Sequence, residues 1–298
     1  MTTNNKENNR AEAGRNGEKV WFITGSSRGL GRIWATAALE RGDKVVATAR
    51  SKQSIADLEE RFGSNVLTLE LDVTNADQVH ETLNKGHEHF GRLDVVVNNA
   101  AYSLVATIEE GDLESVRAMF ETNVFAPLTV IKAALPLLRK QGGGHILGIS
   151  SGLGQFVIPV IGYYCSSKWA FEAIHESLAA EVAQFGVKVT IIEPGAYATD
   201  FASENSAKYS QGMDVYQGFR SKILDGIMTS ERGDPHATPQ AIFKVVDAEQ
   251  PPLRLFLGSK NLPHTRAVFA ERLATWEAWA DVANAAQGTP KVAEPAGA

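Results

Sequence analysis

Tyr164 and Lys168 sit four residues apart in the run Tyr164-Cys165-Ser166-Ser167-Lys168, and Ser151 lies thirteen residues before the tyrosine. On a helix the two side chains leave one face, a turn apart. An ammonium held beside a phenol favours the phenolate, so Tyr164 is expected to titrate below its ordinary value of about 10. A phenol tuned in this way can give or take a proton near neutral pH. The Ser151 hydroxyl is expected to hold the oxygen that receives the proton. Tyr-x-x-x-Lys also arises by chance on amphipathic helices, so the pair gains meaning only from its surroundings. Cys165, beside the tyrosine, reads as a small buried filler.

The elements that must position these groups alternate between strand and helix from about Val20 to about Leu257. Strands are expected over 20–23, 44–48, 66–71, 94–97, 145–149, 187–192 and 253–257. Helices are expected over 30–40, 55–62, 76–90, 163–185 and 239–248, with a long one over 113–139 that Pro136 should kink or end. Short apolar strands separated by helices imply an α/β fold, a Rossmann-like doubly wound sheet of about seven parallel strands covered on both faces. No internal linker or repeat interrupts the pattern, so residues 19–287 read as a single domain between disordered tails at 1–18 and 288–298. Residues 201–234 break the alternation. That polar stretch, dotted with Tyr209, Met213, Tyr216, Phe219 and Met228, reads as a substrate lid. Residues 260–286 form a C-terminal helical extension whose Trp276 and Trp279 should pack on the domain or on another subunit.

Chain-wide properties narrow the functions. The 298 residues carry a formal net charge of −6, which argues against a nucleic-acid partner. No apolar run is long enough to span a bilayer. One cysteine excludes an internal disulfide framework and fits a reducing compartment, and the expected location is cytoplasmic. The seven histidines show no metal-ligand spacing, so no metal is expected.

Thr24-Gly25-Ser26-Ser27-Arg28-Gly29-Leu30-Gly31 follows the first strand and opens the first helix. Glycines let the chain turn sharply and approach a pyrophosphate, and the helix N-terminus supplies N–H groups and partial positive charge. The spacing is Thr-Gly-x-x-x-Gly-x-Gly, and with it the chain resembles the short-chain dehydrogenase/reductase family in its single-domain form. The other motifs of that family occur in order: Leu71-Asp72-Val73-Thr74, Asn98-Asn99-Ala100-Ala101, Asn123, Ser150-Ser151, Tyr164-x-x-x-Lys168 and Pro194-Gly195-x-x-x-Thr199. Ala101 departs from the glycine usual in the family and removes no reacting group.

The resemblance implies roles position by position. Gly25, Ser27, Arg28, Gly29, Leu30 and Gly31 belong to the pyrophosphate turn, Asp72 and Val73 flank an adenine, and Asn99 and Ala100 lie along the ribose. Asn99 also braces the sheet. Lys168 reaches the nicotinamide ribose, and Pro194, Gly195 and Thr199 hold the nicotinamide end. Asn123 would break its helix and hold a water that links Lys168 to solvent. Members of the family that use NAD tend to end the second strand on an acidic residue. Here Ala49 takes that place and Arg50 follows, with Ser51 next, a pattern that favours NADP(H) over NAD(H).

The chemistry implied is hydride transfer between the cofactor and a carbonyl carbon, with Tyr164 moving the proton and Ser151 stabilising charge on the oxygen. Pocket residues are expected among Ala101, Tyr102, Ser103, Gly152, Leu153, Phe156, Val157, Ile158, Tyr197 and the 201–234 segment, which favours a hydrophobic ketone, aldehyde or alcohol. Two other classes share these features: an NADP-sensing regulatory protein, and an epimerase or dehydratase that uses the same Tyr-Lys pair. Membership of a homodimer or homotetramer, through helices at about 113–139 and 163–185, is implied by the resemblance.

Overall fold

The structure is a computed structural model, and it describes residues 17–199, 201 and 206–289. Most of the two expected tails, at 1–16 and 290–298, lies outside the described residues.

The strands expected from the sequence form with shifts of at most two residues at their ends. They are β1 (Val20–Ile23), β2 (Lys44–Ala49), β3 (Val66–Glu70), β4 (Val95–Asn98), β6 (Gly144–Ile149), β7 (Val187–Pro194) and β9 (Arg254–Leu257). They make one seven-stranded sheet in the order β3-β2-β1-β4-β6-β7-β9, every pairing parallel. Chain order reverses between β1 and β4, and the crevice outside the carboxyl ends of the strands opens there. Two three-residue strands, β5 (Ser103–Val105) and β8 (Ala207–Tyr209), pair separately and in parallel. Periodicity does not reveal them, because three residues carry too little pattern and some hundred residues separate the partners.

The helices are α1 (Gly29–Glu40), α2 (Ala56–Phe62), α3 (Ala76–Phe90), α4 (Leu113–Phe120), α5 (Ala126–Gln141), α6 (Gly162–Val182), α7 (Gln217–Met228), α8 (Pro239–Asp247), α9 (Asn261–Ala278) and α10 (Ala280–Gln287). β1 is buried on both faces and divides two apolar layers. Trp21 and Ile23 pack with Trp34 and Ala38 of α1 and Ile242 of α8, while Phe22 packs with Leu83 of α3, Val130 of α5 and Leu178 of α6. Burying each such large side chain contributes about 1.5–3 kcal/mol. This two-sided burial makes the sheet a stiff base for the loops at its carboxyl edge.

Two expectations are corrected. Pro136 does not end or break its helix: α5 runs through it to Gln141. Pro136 and Lys132 are both exposed, so the Lys132 carbonyl that loses its N–H partner faces solvent, where water can satisfy it. Of the two alternatives expected for Trp276 and Trp279, packing on the sheet domain does not occur: they are about two-thirds exposed, at 66% and 64%. α9 touches the body through Asn261, through His264 on the Phe156 ring, and through Arg272, which lies over the Trp169 ring and donates to Gln155 O at 3.2 Å.

Candidate active site

The carboxyl edge of the sheet borders one cleft of about 1440 Å³, lined from Gly25 and Arg50 at one end to Phe156, Ile223 and Asn261 at the other. β6 ends at Ile149 and delivers Ser150 and Ser151. The Ser151 Oγ caps the next turn by accepting from Leu153 N at 3.2 Å. The chain then passes Val160, a buried β-branched residue at φ +72°. This conformation costs roughly 1–3 kcal/mol. It is retained where the Val160 carbonyl accepts from Ala106 N at 2.7 Å and the chain turns into α6.

The first turns of α6 bring Tyr164 and Lys168 into the cleft, both almost fully buried. Lys168 Nζ donates to Ile149 O at 2.8 Å and stands 5.8 Å from the centroid of the Tyr164 ring. Burial raises the Tyr164 pKa above the usual phenol value, and a hydrogen bond with Ser151 acts against that rise. Burial also lowers Lys168 to about 8, opposed by the Glu172 carboxylate one turn further along α6. The expectation that Lys168 brings Tyr164 below its ordinary value therefore fails for this protein by itself. Desolvation penalises the charged form of each group and outweighs their mutual effect. Tyr164 is held as the neutral phenol, the form that donates a proton.

The other end of the cleft is a close approach of backbone to backbone. Thr24 N donates to Val97 O at 3.1 Å, and Ser26 N donates to Thr48 O at 2.8 Å. Asn99 Nδ2 donates to Thr24 O at 2.8 Å and Gly25 O at 3.1 Å, bracing the turn. A side chain at Gly31 would put its Cβ 2.4 Å from Asn99 Nδ2 and 2.5 Å from Gly25 O, so only glycine fits. Gly25 sits at φ +73° and Gly29 at φ +58°. No acidic residue occupies the first turn of α1 itself.

A family model described as short chain dehydrogenase matches residues 19–210, more than half of the chain. The protein belongs to the short-chain dehydrogenase family. Among its relatives, "Oxidoreductase BOA17" of Botryotinia fuckeliana is 38% identical over 268 residues, covering 89% of this chain and 97% of the relative. A short-chain dehydrogenase from Streptomyces avermitilis superposes with a TM-score of 0.84 at 34% identity, covering 91% of this chain and 99% of that one. A short-chain dehydrogenase from Burkholderia cenocepacia, solved in complex with NADP, superposes with a TM-score of 0.71 at 25% identity, covering 92% and 98%.

Most of the residues singled out in the sequence of this family member do line the cleft: Gly25, Ser27, Arg28, Gly29, Leu30, Arg50, Asp72, Val73, Asn99, Ala100, Ser151, Tyr164, Lys168, Pro194, Gly195 and Thr199. Gly31 stands behind the turn it shapes. Ser51 does not line the cleft. It is exposed, and its carbonyl accepts from Ser54 N and Ser54 Oγ at the start of a short helical turn. Asn123 sits in a π-helical turn over Glu121–Phe125, so it does break the helix locally. Its amide makes three contacts. Nδ2 donates to Tyr102 O at 2.9 Å and Ser167 Oγ at 3.1 Å, and Oδ1 accepts from Tyr102 N at 3.1 Å. These contacts tie the π-turn to the approach to β5 and, through Ser167, to α6 beside Lys168. Of the nine expected pocket residues outside 201–234, Val157 is the one that does not line the cleft; it is 60% exposed.

Sequence reasoning missed the wall supplied after β9, where Gly258, Ser259, Lys260 and Asn261 line the cleft. Asn261 Nδ2 donates to Glu193 O at 2.9 Å, and its side chain occupies the space that a Cβ at Gly152 would need. No motif marks Asn261, which lies well over a hundred residues from Gly152. Among the described residues there is no group of three metal-ligating side chains, and no helix is long and apolar enough to cross a membrane.

Proposed function

We propose that this oxidoreductase interconverts a hydrophobic ketone or aldehyde and its alcohol with NADP(H), Tyr164 donating the proton in the direction of reduction. The observation that carries this reading is the buried Tyr164, kept protonated by desolvation and hydrogen-bonded with Ser151 at the end of an apolar cleft. That cleft is continuous with the glycine turn at Gly25–Gly31.

The chain fits a nicotinamide dinucleotide. The Gly25–Gly31 turn leaves room that a side chain would fill, and the α1 N-terminus faces it with free N–H groups. Ala49 ends β2 without a carboxylate and Arg50 follows it, exposed at the cleft, where a guanidinium suits a 2′-phosphate. Asp72 keeps its carboxylate turned to Thr74, accepting from Thr74 N at 3.0 Å and Thr74 Oγ1 at 2.8 Å. Its backbone thus forms the cleft wall beside Val73. Asn99, Ala100, Pro194, Gly195, Thr199 and Lys168 complete the cofactor side. When bound, the nicotinamide supplies or accepts the hydride.

The chain's own groups do the rest. Tyr164 Oη delivers its proton to the carbonyl oxygen, and Ser151 Oγ donates to the same oxygen as charge develops. The Lys168 ammonium lies close to its titration point and offsets the phenolate that remains. Leu153, Phe156, Ile158 and Tyr102 surround the substrate side, and the described residues 206–234 act as the lid, with Ile223, Leu224 and Ile227 of α7 packed against the buried Val105, Val160 and Ile161.

Loss of reduced-nicotinamide absorbance with a panel of hydrophobic ketones tests the reading, with NADPH and NADH in parallel and Tyr164→Phe as control. NADPH oxidation that disappears in the variant supports it. Faster turnover with NADH refutes the role given to Arg50, and tight NADPH binding without turnover of any ketone refutes the oxidoreductase role.

A further inference from the structure

Behind Ser151 lies a cluster of buried carboxyls that the proposed reaction leaves unexplained. Glu172 on α6 and Glu193 on β7 are 3% and 0% exposed. Their carboxyl groups lie within hydrogen-bonding reach of each other. Gln155 Nε2 bridges them, donating to Glu193 Oε1 at 2.8 Å and to Glu172 Oε2. One guanidinium serves both: Arg254 Nε stands 3.5 Å from Glu172 Oε2 and 3.6 Å from Glu193 Oε1, while its Nη2 is bound to the surface Glu176 at 2.8 Å. Glu193 Oε2 is buried and finds no N–H or O–H donor among the described residues. Two carboxylates this close, out of water and sharing one cation, cannot both ionise cheaply. One proton held between them removes one of the two charges.

The pair touches the catalytic turn directly. Ser150 Oγ donates to Glu172 Oε1 at 2.6 Å, and Ser150 N donates to Ile192 O at 2.7 Å, so the residue before Ser151 is held at two points. Gly154 allows this approach, since a Cβ there would fall 1.8 Å from Glu172 Oε1. Glu172 also follows Lys168 by one helical turn and supports its charge.

We propose that Glu172 and Glu193 share one proton near neutral pH, and that Glu172, the ionised member, is a positioning residue that fixes Ser150–Ser151 and supports the Lys168 ammonium. The positioning half rests on the hydride-transfer reading above; the shared proton does not. The charged and titratable groups facing the pair are Lys168, His175 and Glu176 on α6, Arg254 on β9, Arg272 on α9 through Gln155 O, and Tyr164 beside Ser151. Burial, and then the Glu172 charge, raise the Glu193 pKa.

The first measurement is unfolding free energy against pH for the wild type, Glu193→Gln and Glu172→Gln. A carboxyl raised in the folded state contributes stability that is present at low pH and lost as pH rises through its folded value. The wild type should therefore lose stability relative to Glu193→Gln as pH rises from about 4.5, the unfolded value, to about 8, the folded one, and run parallel to it above that. Lys168 and the histidines titrate in both proteins and cancel in the difference. Curves parallel across that range as well would overturn the shared proton.

The second measurement is kcat against pH with NADPH and a ketone. Glu172→Gln should lower kcat roughly tenfold, move the limb that reports Lys168 to lower pH, and leave NADPH affinity within about twofold. Ser150→Ala should lower kcat while keeping the wild-type pH dependence of stability, because it cuts the link and spares the pair. A Glu172→Gln profile that superposes on the wild type would overturn the positioning role. Absence of turnover in the wild type itself would overturn the hydride-transfer reading and the positioning role with it, while the unfolding difference still decides the shared proton.

Discussion

The wall of the cleft that carries Ser151, Tyr164 and Lys168 and the wall formed by residues 206–234 are held by different forces. The first wall is the edge of a sheet buried on both faces, and its polar groups are tied to that edge. Lys168 Nζ donates to Ile149 O, and Ser150 is bound to both Ile192 O and Glu172. The second wall contains α7, which has no buried residue, and rests on a small apolar contact of Ile223, Leu224 and Ile227. Its latch is one carboxylate. Glu110 accepts from Met213 N at 2.7 Å, from Thr107 N at 3.1 Å and from Thr107 Oγ1 at 2.9 Å, and pairs with Arg220. Alongside it, Tyr216 Oη donates to Glu109 at 2.7 Å. The difference separates two tasks: groups that move a proton need a fixed geometry, and a wall that admits varied substrates needs to open at low cost.

The sharpest way to break this comparison is to remove the reacting hydroxyl from the stiff wall. Tyr164→Phe should reduce kcat by roughly a thousandfold with NADPH affinity almost unchanged, measured by steady-state rates and fluorescence titration. A loss of affinity of the same size would show that the wall itself had moved.

Next in size is the cofactor end. Arg50→Glu should shift the NADPH-to-NADH ratio of kcat/KM by roughly ten- to a hundredfold towards NADH, because it replaces a cation facing the 2′-phosphate with an anion.

The loose wall should answer in another parameter. Glu110→Gln should raise the ketone KM several-fold and speed proteolytic nicking within 206–234 while kcat changes little. The Met213 N–H above all, with Thr107 and Arg220, holds Glu110 down to about 2. As a depressed carboxyl, it contributes fully above its unfolded value and loses its contribution only as pH falls through the folded one. The nicking rate should therefore stay flat across neutral pH. A fall in kcat with KM unchanged would merge the two walls into one unit.

The last effect is read in stability and concerns the burial of Lys168. Its folded pKa of about 8 lies below the ordinary 10.5, so its contribution is present above the unfolded value and is lost as pH falls through the folded one. At neutral pH the buried ammonium destabilises the fold. Lys168→Met should abolish turnover and yet raise the unfolding free energy by on the order of 2 kcal/mol, the lost hydrogen bond to Ile149 O offsetting part of the gain. Chemical denaturation at pH 7 checks this.

Much of the site is legible before folding because its signals are local. The Gly25–Gly31 turn lies between a strand and a helix contiguous with it, and Tyr164 and Lys168 share a face by helical period alone. The parts that escape are those set by contacts between distant segments. Glu172 continues the Tyr164, Lys168 spacing by one more turn, a signal that could have been read, but nothing in the sequence pairs it with Glu193 twenty-one residues away. Asn261, the β5–β8 ribbon and the outward turn of Val157 are of the same kind.

By itself, the amino-acid sequence determined the order and type of the elements, the family, and which side chains could handle a proton and a dinucleotide. These follow from short-range periodicity and from steric demands within a few residues. The tertiary structure alone decided the charge states. The Tyr164 phenol is held neutral, Lys168 is brought to about 8, and Glu172 and Glu193 are brought together with one cation between them. Those outcomes depend on desolvation and on distances across the sheet, which exist only once β6, β7, β9 and α6 are packed.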